Sequence, residues 1–125
     1  MGTDGIIHAE VSRDIVGAAM KVLNTLKPGL DEKAYENALV IELQNRNHRV
    51  DQQRRFLVRY EGIVVDTLVP DVIVDGRVVV DPKVVDDFTP THIAKMIGYL
   101  TVTGLRLALL LNFKHADLRW RRIVR

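Results

Sequence analysis

Residues 70–83 read PDVIVDGRVVVDPK: two valine-rich runs around Asp75-Gly76, with Asp71 at one end, Asp81 at the other and Lys83 two positions beyond. Ionised carboxylates in or beside a buried sheet are costly unless something positive sits between them. Mg2+ is the natural candidate, because it takes oxygen ligands and commonly binds one or two carboxylates together with a phosphate. A lysine beside it can hold a water or a developing negative charge. Asp71, Asp81 and Lys83 therefore have the composition of a metal-assisted phosphodiester-cleaving site. Two plainer readings stand beside it. Asp71 can cap a strand end, and Asp81 with Lys83 can form an exposed ion pair that adds little stability.

Geometry separates these readings. Side chains alternate faces along a strand, so Asp81 and Lys83 share a face. A two-residue loop at Asp75-Gly76 would pair position 71 with 80 and put Asp71 on the face opposite Asp81. A three-residue loop with Gly76 left-handed, or a bulge, shifts the parity by one and brings the acids together. The cleavage reading requires the second register, and both remain open in the sequence.

The hairpin needs a sheet and helices to hold it. Residues 10–26 carry Val11, Ile15, Ala18, Ala19, Val22 and Leu26 at helical spacing, and Lys27-Pro28-Gly29 stops that helix. A second helix is expected over 31–46, with Tyr35, Leu39 and Leu43 on one stripe and Asp31 as N-cap. The period then changes to strands over 49–60, 63–74 and 77–85. Val72-Ile73-Val74 and Val78-Val79-Val80 do not alternate, so the hairpin should be covered on both faces. Thr89-Pro90 opens a helix to 102, and strands follow at 105–113 and 118–124. The expected class is α/β, one domain over 1–125, a mixed sheet flanked by helices in the order ααβββαββ.

The totals narrow the function. At 125 residues, 47% apolar and 27% charged, the chain reads as one soluble globular domain, expected to be cytoplasmic. No run approaches a membrane span, and MGTDGIIHAE lacks a basic-then-apolar signal. Without cysteine, disulfides, thiolate metal sites and cysteine nucleophiles are excluded. The net charge is only +2, but arginines cluster at 46–59 (including Arg54 and Arg55) and at the end of the chain (including Arg119 and Arg121). Such stripes can make a nucleic-acid footprint, although solvated strand faces explain them as well. Trp120 between arginines can stack on a base or cover a core edge.

Two motifs now bear on each other. Pro70-Asp71 followed by Asp81-x-Lys83 resembles the PD-(D/E)XK nuclease signature, and Gly29-Leu30-Asp31-Glu32-Lys33-Ala34-Tyr35 is similar to the G-x-x-E-x-x-Y pattern of the GxxExxY family. The similarity continues through HIAKMIGYL and GLRLALLLNF and covers nearly the whole chain. It implies a restriction-endonuclease-like core and a nuclease that uses Mg2+ or Mn2+. Glu32 would be the helix acid, Asp71 and Asp81 the hairpin ligands, and Lys83 the catalytic lysine. Tyr35 would support Glu32. His92, which matches the family's usual residue, would contact phosphate or cap its helix.

This chain departs from the family pattern in three places. Asp81 stands where the family usually has glutamate. Pro82 is uncommon inside a central strand and is read as a bulge or a disturbed site. Lys95 stands where the wider class often has glutamine, and can either contact phosphate or weaken metal binding. Tyr99 is expected to line the groove or the core. The leading expectation is a nuclease acting on nucleic acid, DNA favoured over RNA, with Arg54, Arg55, Arg119 and Arg121 on the backbone and a homodimer to address two strands. The alternative is a catalytically degenerate nucleic-acid-binding or assembly module on the same fold.

Overall fold

The computed structural model describes residues 6–125. Helices α1 (Ala9–Leu26) and α2 (Glu32–Asn45) come first. Strands β1 (Val50–Gln52), β2 (Phe56–Tyr60), β3 (Ile63–Leu68), β4 (Val72–Val74) and β5 (Val78–Lys83) follow, then helix α3 (Pro90–Thr103) and strands β6 (Leu107–Asn112) and β7 (Arg119–Val124). One sheet has the order β1-β4-β5-β6-β7, in which β5 and β6 run parallel and the other pairs antiparallel. A parallel pair needs a crossover, and α3 supplies it.

The mixed α/β class is the expected one, but the order is ααβββββαββ rather than ααβββαββ. Both long runs are broken. The first breaks after β1, where Gln53 takes a left-handed φ of 60°. The second breaks at Pro70, which has no N–H to give to a ladder. The residues between the breaks, β2 and β3, pair only with each other. Phe56 packs this arm against the α3 side of the core, while Leu57, Tyr60, Ile63, Val64 and Val65 stay exposed.

Two cores flank the sheet. Ile15, Ala19 and Val22 of α1 and Tyr35, Leu39 and Leu43 of α2 pack on Val72, Val74, Val78, Val80, Leu109 and Leu111. On the opposite face, Met96 and Leu100 of α3 pack on Ile73, Val79, Ala108, Leu110 and Ile123. The unbroken valine runs of β4 and β5 are thus buried from both sides, as their lack of alternation requires. Thr89 caps α3, with Pro90 in the first turn, and Gly104 ends the helix at a left-handed φ of 76°. Asp31 holds the N-cap position of α2 but makes no side-chain cap bond.

His48 ties the two halves together. Its Nδ1 lies 2.6 Å from Asp75 Oδ2 in the β4–β5 loop, and its Nε2 meets Asp14 Oδ2 on α1. With a carboxylate at each nitrogen, both must donate, so the ring is an imidazolium. Burial works against that charge, but the hydrogen bonds that His48 donates to Asp14 and Asp75 outweigh it and raise its pKa. A raised histidine pKa stabilises the fold below the unfolded value, near 6.5, and that stability is lost as pH rises through the folded value. His48 therefore adds to the fall of the wild-type Tm above pH ~7, and a His48→Gln variant, which keeps only the decline that Asp71 causes up to about pH 7, should lack that later part. Thermal unfolding across pH 5.5–9 of the two proteins is the check.

Candidate active site

The β4–β5 hairpin settles where its acids point. Val74 pairs with Val78 and Val72 with Val80, so the loop holds Asp75, Gly76 and Arg77, and Asp71 falls opposite Asp81. Asp75 and Gly76 both take positive φ, 54° and 64°. The loop is anchored from a distance: Asp75 N donates to Arg49 O at 2.8 Å, and Arg49 N donates to Asp75 Oδ1 at 2.9 Å. The pairing of β5 with β6 runs in unbroken register through Pro82, so Pro82 does not mark a bulge. Phe113 N donates to Lys83 O on the β6 side, so by alternation the nitrogen of Pro82 faces the side where β4 has already ended. Proline removes no ladder bond there.

Ile73 and Val79 face α3, and by the same parity so do Asp71, Asp81 and Lys83. Asp81 is 3% exposed. Its Oδ2 forms an ion pair with Lys83 Nζ at 3.1 Å, whereas its Oδ1 is buried with no hydrogen-bond partner. Such an orphan oxygen is rare in a folded chain. Burial, the neighbouring Asp81 and the charge of Glu36 push the Asp71 carboxyl up to about 7. Two buried carboxyls facing each other need a positive species between them, either a shared proton, as the raised Asp71 indicates, or a cation. These are hard oxygen donors, and they fit Mg2+ or Mn2+.

The α2 acid that reaches the pair is Glu36, which the sequence reading passed over. It is 3% exposed, and its Oε2 accepts from Gln52 Nε2 at 2.7 Å, Lys33 Nζ at 3.0 Å and Gln53 Nε2 at 3.1 Å. Glu32, assigned the role of helix acid, is exposed at the first position of α2, one turn away on the same stripe. Among the described residues, no three His, Cys, Asp or Glu side chains are already gathered as a metal centre. Asp71 and Asp81 form a pair, with Glu36 held beside it by the two glutamines.

Tyr35 does not touch Glu32. Its ring stacks on Phe113 with centroids 4.8 Å apart, and its hydroxyl donates to Lys27 O at 2.6 Å and accepts from Leu30 N at 3.1 Å. The tyrosine of the Gly29–Tyr35 motif thus clamps the α1–α2 connection and fixes the start of α2. His92 is a cap: its Nδ1 accepts from Thr89 N at 3.0 Å, and its own N donates to Thr89 Oγ1. Lys95 places its ammonium 5.5 Å from the centre of the Tyr99 ring. Burial lowers its pKa, but Tyr99 and then the Asp81 and Asp71 carboxylates raise it further. The α3 lysine is thus a second positive charge within electrostatic range of the acids.

The register also places the arginines. Asp81 pairs with Leu110 and Leu110 with Arg121, while Lys83 pairs with Asn112 and Asn112 with Arg119. Arg121 and Arg119 thus share the acid-bearing face, two strands or roughly 10 Å from Asp81 and Lys83. On the other flank, Gln53 N donates to Asp71 O at 3.0 Å, and Arg54 and Arg55 follow directly, both exposed. Arg54 lies over the Phe56 ring at 4.9 Å. Trp120 has the opposite parity and lines a cleft with Ala9, Val16 and Leu109 on the α1 face, away from the acids.

Comparison with known proteins bears on the family and the fold. No curated protein matches the chain. Among solved structures, an alkaline exonuclease from Laribacter hongkongensis is similar over 90% of this chain and 82% of its own, with a TM-score of 0.50 and 12% sequence identity. At that identity the likeness concerns the fold. The family profile is more direct, since its match runs over residues 9–123 and takes in α2, the Asp71–Asp81 hairpin and α3. The chain belongs to the PD-(D/E)XK nuclease superfamily.

Proposed function

We propose that this chain is a divalent-cation-dependent nuclease that hydrolyses phosphodiester bonds of nucleic acid, DNA in preference to RNA, with Mg2+ or Mn2+ held by Asp71, Asp81 and Glu36. The observation that carries the reading is the buried Asp81 Oδ1 without a partner, facing Asp71 across the hairpin and beside Lys83. A bound cation would supply Lewis-acid polarisation of the phosphate and make water a stronger acid.

The chain's own groups supply the rest. Lys83, steadied by Asp81, directs its ammonium to the site and can orient a water or stabilise charge on the phosphate. Arg119 and Arg121 on one side and Arg54 and Arg55 on the other hold the polymer backbone, so binding should weaken steeply with salt. The G-x-x-E-x-x-Y match of Gly29, Glu32 and Tyr35 supports placement nearer the GxxExxY family. The exposed apolar side chains of the β2–β3 arm are where a second copy would pack if the protein works as a homodimer.

A second reading, a catalytically degenerate binding module, is favoured by Lys95: its charge and that of Lys83 together balance the two aspartates without a cation. Incubation of labelled single- and double-stranded DNA and RNA with Mn2+, Mg2+ or EDTA, beside Lys83→Ala, separates the two. The nuclease reading expects metal-dependent cleavage reduced at least ~10²-fold in the variant. Salt-sensitive binding with no cleavage by either protein would establish the second reading, and neither binding nor cleavage would remove both.

A further inference from the structure

We infer that Gln53 is a positioning residue that sets Glu36 and Asp71 for cation binding, and that its strained backbone serves this task. The inference deepens the proposed function and rests on the cation site described there. Its basis is the junction between β1 and β2. Gln53 Nε2 donates both to Glu36 Oε2 at 3.1 Å and to Asp71 Oδ1 at 3.4 Å, so one amide joins acids that approach from a helix and from a strand. Its backbone N donates to Asp71 O at 3.0 Å, which extends the β1–β4 pairing by one step and fixes Asp71 opposite Asp81.

The cost of this placement is visible in the backbone. Gln53 has a φ of 60°, a conformation that L side chains other than Asn and Asp rarely adopt. Glycine would fill such a position without strain, and the chain instead keeps a side chain whose amide reaches two carboxylates. Strain of this kind persists where the surroundings over-determine it, and it clusters at functional sites.

The bonding at Glu36 gives the amide a direction of action. The three donors Lys33, Gln52 and Gln53 all converge on Oε2, and among the described residues no hydrogen bond goes to Oε1. Partners of this type orient a ligand carboxylate and leave its other oxygen to the metal, and losing one typically weakens metal affinity 10–100-fold. Gln52, bonded to Glu36 and Asn37 but with no bond to Asp71, supports the helix acid only.

The test uses the full chain, with Mn2+ affinity measured by titration and Tm measured in EDTA. Gln53→Gly removes the amide and relieves the strained φ, while Gln53→Met keeps the length of the side chain without the donor. The expected result is Mn2+ affinity weakened about tenfold or more in both variants. The EDTA Tm should be unchanged or higher in Gln53→Gly and close to wild type in Gln53→Met. Wild-type Mn2+ affinity in both variants would overturn the positioning role while leaving the cation site intact. A lower EDTA Tm in both would make Gln53 a structural residue and overturn the inference as well. If the wild type itself bound no Mn2+, the proposed function and the inference would fall together.

Discussion

Asp71→Asn is expected to make the metal-free protein more stable and to abolish its cleavage activity. The carboxyl of Asp71 is pushed up to about 7 by burial, by Asp81 and by Glu36, so ionising it opposes folding. An acid whose folded pKa is raised makes stability fall as pH rises from the unfolded value near 4 to the folded value. Above pH ~7 the full penalty applies, and asparagine removes it. After discounting for the partial solvent access of Asp71, the gain should be roughly 1–3 kcal/mol, or some 5–10 °C in Tm. The difference should shrink below pH ~5 and vanish when both forms are neutral. The Lys83–Asp81 pair remains in this variant. The same change removes a proposed cation ligand and should lower cleavage at least ~10²-fold. Thermal unfolding in EDTA at pH 5 and pH 8, with a cleavage assay, reads both effects. A structural aspartate would lose stability on replacement, so opposite signs for stability and activity distinguish the functional reading.

The second large effect separates two glutamates of one helix. Glu36→Gln is expected to weaken Mn2+ binding 10–100-fold and to reduce cleavage in step, because Glu36 is buried beside Asp71. Glu32→Gln should change neither by more than about twofold, since an exposed first-turn acid contributes only a modest interaction with the helix dipole. Titration of the two variants with Mn2+ decides the matter, and equal losses in both would return Glu32 to the site.

The contrast between these glutamates shows how far the sequence could be read. The Gly29–Tyr35 motif points to α2 and to the stripe that carries both glutamates. Glu32 and Glu36 are four residues apart and lie one above the other, so spacing alone cannot say which turn meets the sheet. A signal for Glu36 did exist: it is an acid among Tyr35, Leu39, Val40 and Leu43, on the side of α2 that becomes buried. A charge inside an apolar stripe needs partners, and here Gln52, Gln53 and Lys33 provide them.

The hairpin register was the other undecided point. Asp75-Gly76 suits a two-residue loop, and Arg77 joins the loop because Asp75 is held by His48 and Arg49, which lie 27 and 26 residues away in sequence. Contacts at that range are outside what local turn chemistry reveals. The β2–β3 arm was missed for a related reason. A single left-handed residue at Gln53 and a proline at position 70 cut two apparently continuous strands, and only the fold shows that the piece between them leaves the main sheet.

Titration of the intact wild-type protein with Mn2+ at pH 8, with an Asp81→Asn variant as the comparison, tests most directly whether Asp71, Asp81 and Glu36 hold a divalent cation. Saturable binding that raises the wild-type Tm and is lost in Asp81→Asn is the expected result. No Mn2+ binding by the wild type, or binding that Asp81→Asn leaves unchanged, would contradict it.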